Sequence, residues 1–132
     1  MALVVTATVV GQAVGTGANA GEGLFPQKIA LAVGTIKVTL NARLTNGAGP
    51  VSSQQRVLIH YIISSISVTA AAAVAQFRNG RRTMELTPGQ AASDSVSRNS
   101  DTIPNAGGFL YYWVDCPTFP IAGSLDISSA EI

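Results

Sequence analysis

From Thr35 to Leu44 the chain alternates without a miss. Ile36, Val38, Leu40, Ala42 and Leu44 are apolar, and Thr35, Lys37, Thr39, Asn41 and Arg43 between them are polar. Successive side chains of a strand point to opposite faces, so this run predicts a half-buried β-strand with its apolar row on a core. Nowhere does the chain carry the apolar stripe of a long amphipathic helix. Other short runs read the same way. Leu3–Val10 is β-branched and fits a buried strand. In Phe109–Val114, residues Phe109, Tyr111 and Trp113 share one face, and Leu110, Tyr112 and Val114 the other. Both rows are apolar, so that strand is expected inside a layered structure or against a neighbouring subunit. From Ser124 to Ile132, Leu125, Ile127 and Ser129 alternate with Asp126 and Ser128.

Turn signals divide these runs. Gly11 to Gly23 includes Gly15, Gly17 and Gly21 and reads as a loop or extended arm, and Gly34 marks a bulge or break. Thr45–Pro50 is a turn cluster. Arg56–Phe77 is too long for one ordinary strand of about 3–10 residues. It is expected to split near Ser64–Ser65 or Thr69–Ala70. The Ala70–Ala73 run favours helix, which leaves a helical turn there as the alternative to a strand. Asn79-Gly80 is a strong hairpin signal. As a two-residue turn it pairs Arg78 with Arg81, Phe77 with Arg82, Ala75 with Met84 and Ala73 with Leu86. Ala73, Ala75, Phe77, Met84 and Leu86 would then share one apolar face. Thr87–Gly107 is polar and reads as a long loop of the kind that carries contacts. About seven or eight short strands separated by turns predict an all-β fold, an antiparallel, jelly-roll-like β-sandwich. It is expected to be a single domain over 1–132, with 1–23 as an N-terminal strand plus Gly-rich arm.

Composition narrows the function. Hydrophobic residues make up 47% of the chain and charged residues 11%, against an ordinary charged share of about 25%. The net charge of +1 excludes a strongly basic nucleic-acid binder and an acidic solvating tail. A surface built from Ser, Thr, Asn, Gln, Ala and Gly loses little hydration when another protein covers it, which points to an interface. One Cys and one His exclude a disulfide framework and a Cys/His zinc cluster. No Lys or Arg precedes the first apolar run, so a secretory signal is not expected. No run approaches the roughly 18 apolar residues of a membrane helix. The expected product is soluble, made in a reducing cytosol, with Cys116 a free thiol.

Catalytic patterns are weak. His60 sits in the apolar stretch Val57–Ile63, and a nucleophile–His–acid arrangement would need Ser or Cys and a carboxylate beside it. A hydrogen-bonded structural histidine is the preferred reading. Asp94, Asp101 and Asp115 match no calcium-loop spacing, and the glycines of 11–23 lack the Gly-Lys-Ser/Thr ending of a phosphate loop. No catalytic, cofactor or metal residue is therefore assigned, and the chain is read as a non-enzyme. Arg78 and Arg81, placed opposite each other, would repel by roughly 0.2–1 kcal/mol. An acidic partner or a phosphate or glycan anion would offset that, and a solvated hairpin tip is the plain alternative. Tyr111 and Trp113 could stack on a sugar, but core or subunit packing is preferred.

The Gly-Gly-Phe-Leu-Tyr-Tyr-Trp-Val-Asp-Cys-Pro run at 107–117, the closing strand to Ile132 and the Gly-rich segment after the first strand resemble small virion proteins of tailed bacteriophages. The class is the jelly-roll or β-sandwich decoration (cement) proteins, and the likeness is one of composition and architecture over most of the chain. The resemblance implies a non-enzymatic protein made in the host cytoplasm and bound to the capsid exterior of the virion. Its implied partners are itself, as a homotrimer, and the major capsid protein, with no nucleic acid, membrane or cofactor. Such a protein stabilises a shell by binding only its assembled state. Candidate contacts are the N-terminal strand and arm Leu3–Gly23 (Leu3 and Val5 in particular), the Arg78 and Arg81 tip, and Asp94, Arg98 and Asp101 of the polar loop. Three alternatives stand beside it. A receptor- or glycan-binding module of a head or tail fibre would expose Trp113 and Tyr111. A shell-forming coat protein would assemble without another capsid protein. A hydrolytic enzyme would need His60, an acid and a nucleophile in one cleft.

Overall fold

The computed structural model describes residues 4–14, 21–31, 37–46, 56–87, 89, 93–104, 108–116 and 123–131. In chain order these form β1 (Val4–Val14), β2 (Gly21–Ala30), β3 (Lys37–Asn46), β4 (Val57–Ser64), α1 (Ala70–Gln76), β5 (Arg82–Leu86), β6 (Ser95–Asn99), β7 (Ile103–Pro104), β8 (Phe109–Cys116) and β9 (Gly123–Glu131). A five-stranded sheet runs β1-β9-β3-β6 with β7 also on β3, and a four-stranded sheet runs β2-β8-β4-β5. Every described pairing is antiparallel. β6 pairs with Asn41–Thr45 and β7 with Lys37–Val38, so the two form one interrupted edge strand. At the interruption, Ser100 N–H donates to the Leu40 carbonyl and Ser100 Oγ accepts from Leu40 N–H, both at 2.8 Å. One residue thus replaces a missing rung of the ladder. The chain changes sheet at each connection except β4–β5 and the break between β6 and β7. That order is the jelly-roll form of the antiparallel β-sandwich.

The alternation on β3 does what its period requires. Val38, Leu40, Ala42 and Leu44 are fully buried between the sheets, while Lys37, Asn41 and Arg43 are exposed. Facing them are Val57, Ile59 and Tyr61 of β4 and Leu110, Tyr112 and Val114 of β8. The free thiol of Cys116 also lies in this core, where burial pushes its pKa up.

A second apolar cluster lies on the other side of the four-stranded sheet. Tyr111 and Trp113 of β8 pack there against Ala73 and Phe77, and Ile62, Val68, Val74 and Phe109 close around them. This gives β8 two buried faces, as its aromatic pattern predicts. The covering chain is pinned by Tyr111, whose hydroxyl donates to the Ile66 carbonyl at 2.6 Å and accepts from Val68 N–H at 3.0 Å. Thr69 then caps α1 by accepting from Ala72 N–H at 3.1 Å. Gly108 precedes β8 at φ +93°, and a Cβ there would stand 2.4 Å from the Ser64 carbonyl oxygen. Only glycine permits so close an approach.

Three sequence expectations are corrected. Ala70–Gln76 is helix, so Asn79-Gly80 turns a helix into β5 and forms no two-strand hairpin. Met84 pairs with Ile59 and Leu86 with Val57, inside the sandwich, whereas Ala73 and Phe77 lie outside it. Alanine propensity and the Thr69 cap prevail over the turn signal because the chain has already left the sheet at Ser64. The Gly-rich arm is strand at both of its described ends: β1 continues through Gly11 to Val14 and β2 begins at Gly21, residues 15–20 lying outside the described set. β1 is also paired along its length with β9, so one of its two edges is taken within its own sheet. The polar loop 87–107 contains β6 and β7; its polarity is that of an edge strand, where charged and polar residues deter unwanted pairing. The expected break at Ser64–Ser65 is where β4 ends.

Candidate functional site

Beyond the end of α1 the outer face of the four-stranded sheet changes from apolar to polar. Four groups form a line of hydrogen bonds there, one from each strand. His60 on β4 stands opposite Thr83 of β5 on one side and Trp113 of β8 on the other. Its Nδ1 lies 2.6 Å from Thr83 Oγ1, and its Nε2 lies 2.6 Å from Asp115 Oδ2. The second carboxylate oxygen, Asp115 Oδ1, accepts the Gly23 N–H of β2 at 2.8 Å. Gly23 holds φ +71°, and a Cβ at that position would meet Val74 of α1 at 3.3 Å. The glycine therefore aims its N–H at Asp115 and lets the helix close over the sheet.

The proton positions follow from the acceptor. A carboxylate only accepts, so Nε2–H donates to Asp115. In the neutral ring Nδ1 then carries the lone pair and accepts the Thr83 hydroxyl proton. His60 is 3% exposed and Asp115 6%, whereas Thr83 is exposed. Burial lowers the His60 pKa from its ordinary value; the bond and charge of Asp115 oppose this, as does Glu22, while Arg81 reinforces it. The result is an unprotonated imidazole at neutral pH, held between a buried acid and a surface hydroxyl.

Cations frame the line. The Arg81 guanidinium lies 6.0 Å from the Trp113 ring centroid, and that ring is 5.8 Å from the His60 ring. Arg81 Nη1 and Trp113 Nε1 are buried donors with no hydrogen-bond partner among the described residues. Arg78 pairs with Glu22 at 3.1 Å, and Arg56 approaches Glu85 at 4.0 Å. Both pairs are about half exposed, so each contributes little.

The residues singled out by sequence do not form one site. Arg78 and Arg81 are not cross-strand neighbours: the first binds Glu22 and the second stacks on Trp113. Asp94, Arg98 and Asp101 belong to the interrupted edge of the five-stranded sheet. Arg98 reaches across to the Glu85 carbonyl of β5 at 3.0 Å, and the Asp94 carbonyl accepts Asn46 N–H at 2.9 Å. The Asp101 carbonyl accepts from Ser100 Oγ at 2.9 Å. Val5 lies in β1 opposite Ala130, and Leu3 is outside the described residues. Thr83 was not singled out, and Asp115 was considered only as a metal ligand. Their sequence separations from His60 are 23 and 55 residues, so only the sheet register brings them together. The one available signal was the β5 alternation, which places Thr83 on the face opposite Met84 and Leu86.

No protein-family model matches the chain, and no curated protein matches it. Among solved structures, a chain from one titled "Desmodium yellow mottle tymovirus" aligns over 100% of this chain and 88% of its own length. The identity is 11% and the TM-score 0.33, and no conclusion about function follows from a superposition that loose.

Proposed function

We propose that this chain is a structural protein of a virion, bound to the exterior of a phage capsid as a homo-oligomer and stabilising the shell by bridging its subunits. The observation that carries this reading is the outer face of the five-stranded sheet, which no described helix or strand covers. Thr39, Asn41, Arg43 and Thr45 of β3 lie there beside Ser124, Asp126, Ser128 and Ala130 of β9, partly or fully exposed. Their neighbours are small hydroxyl and amide groups: Asn41 Nδ2 donates to Asn99 Oδ1 at 2.6 Å, and Arg43 to Ser95 Oγ at 3.2 Å. Such a face carries few charges, so a partner can cover it at low desolvation cost. A partner that binds only the assembled shell shifts assembly towards it.

The glycan-binding alternative draws no support from β8. Trp113 and Tyr111, the residues a sugar would stack on, are both 0% exposed. The deciding experiment is the mass of the purified protein in solution, followed by co-sedimentation with preassembled capsids. Oligomers that bind shells support the proposal; a monomer without shell affinity overturns it. Assembly of closed shells from this chain alone would favour a coat protein instead.

A further inference from the structure

We propose that the Thr83 hydroxyl is an activated nucleophile that takes an acyl group from esters, with His60 as its base and Asp115 positioning that base. The activity stands apart from the binding role, and either can fail without the other. The geometry is that of an activated hydroxyl: nucleophile and base within hydrogen-bond reach, and the base oriented by a third group. Here both contacts are 2.6 Å, and the third group is itself fixed by the Gly23 N–H. Burial is graded in the direction such chemistry needs, with acid and imidazole inside and hydroxyl at the surface. Arg81 precedes Thr83 by two residues, which places both on the same side of the extended chain. Its guanidinium lies over the Trp113 ring and adds positive charge to the face that carries Thr83. Cys116 is no rival, because it faces the opposite side of the sheet, in the core.

The step balances as written for 4-nitrophenyl acetate. Thr83 Oγ1 attacks the carbonyl carbon, a C–O bond forms, and the hydroxyl proton passes to His60 Nδ1. The tetrahedral intermediate collapses with cleavage of the bond to the nitrophenolate, which takes up that proton. The products are Thr83 acetyl ester and 4-nitrophenol. Asp115 keeps the Nε2 proton in place throughout, so the ring presents the correct nitrogen.

Charged groups facing His60 are Asp115 from β8, Glu22 from β2 and Arg81 ahead of β5. Acylation should therefore rise with pH along one titration, with its midpoint below that of an ordinary histidine. The test is incubation of the whole protein with 4-nitrophenyl acetate, following nitrophenol release and locating the adduct by peptide mass spectrometry. One acetyl group on the Thr83 peptide is expected. Thr83→Ser should retain labelling and Thr83→Val abolish it, both at an exposed strand position that leaves the core untouched. His60→Gln should slow labelling by roughly a hundredfold or more, the share a positioned base supplies. Asp115→Asn should slow it and shift the pH midpoint while circular dichroism stays native, a change that a merely structural Asp115 would not cause. Acetylation of other residues only, or equal labelling in Thr83→Val, overturns the proposal. If His60→Gln fails to fold, the Thr83 pair and the wild-type pH profile decide alone.

Discussion

The two sheets of this sandwich share an inner core but have opposite outer faces. On the four-stranded sheet, α1 and the segment before it bury Tyr111 and Trp113, and the line from Thr83 to Gly23 ties all four strands together. On the five-stranded sheet the outer row of β3 hydrogen-bonds to short polar side chains, Asn99 and Ser95. Apolar area hidden from water stabilises, whereas a solvated polar row is nearly neutral until something covers it. One face therefore serves the fold, and the other carries the proposed interface.

The widest gap between the two faces should appear on truncation. Trp113→Ala removes a wholly buried ring and should cost about 3–5 kcal/mol, since large aromatic cavities seldom collapse. Asn41→Ala, on the bare face, should stay within about 0.5 kcal/mol. Urea unfolding of both variants checks this, and equal losses would show that the covered face contributes no second core.

A smaller difference separates the polar part of the covered face from its apolar part. Tyr111→Phe keeps the ring but removes the bonds to Ile66 and Val68. A part-buried carbonyl and N–H left unpaired should cost about 1 kcal/mol, the low end of the penalty for a buried group. Native-state hydrogen exchange should then speed up at 66–77 and leave β3 unchanged. Uniform acceleration would mean that the helix cover and the core open together.

The pH response belongs to the same seam. Folding lowers the His60 pKa, chiefly through burial. The unfolded chain therefore binds the proton more readily, with its histidine titrating near about 6.5. Above that value the contribution of His60 to stability is constant. As pH falls from about 6.5 through the folded-state value, stability must decline, because the unfolded state holds more protons there. His60→Gln should remove this part of the acid slope in urea titrations. A variant with the wild-type slope across that window would place the response elsewhere.

How much of this was legible beforehand depended on distance along the chain. The β3 alternation and the two-sided β8 pattern are local properties, and each fixed its strand and its buried rows. The Ala70–Gln76 helix was ambiguous because its alanines suit a helix while the following Asn79-Gly80 suits a hairpin. The cap at Thr69 and the space over Trp113 decided it, and the second of these is a tertiary fact. The Thr83–His60–Asp115 line was out of reach, since it rests on β4 pairing with both β5 and β8 in one register. A one-residue slip on either side would turn Thr83 or Asp115 to the opposite face.

The smallest expected effect on stability carries the most weight for function. Asn41→Lys places one charge in the middle of the bare face, beside Ser128 across the β3–β9 ladder. Exposed to water, that charge should change unfolding free energy by no more than about 0.5 kcal/mol. Covered by a second copy or a shell, it would have to be stripped of water where the neighbouring acid, Asp126, already stands opposite Arg43, which costs several kcal/mol. Self-association or shell binding should then weaken at least about tenfold, corresponding to 1.4 kcal/mol or more, while the melting transition stays in place. Full binding by a stably folded Asn41→Lys protein would mean that this face remains wet in the assembly, and the search for the covered surface would pass to the sheet edges.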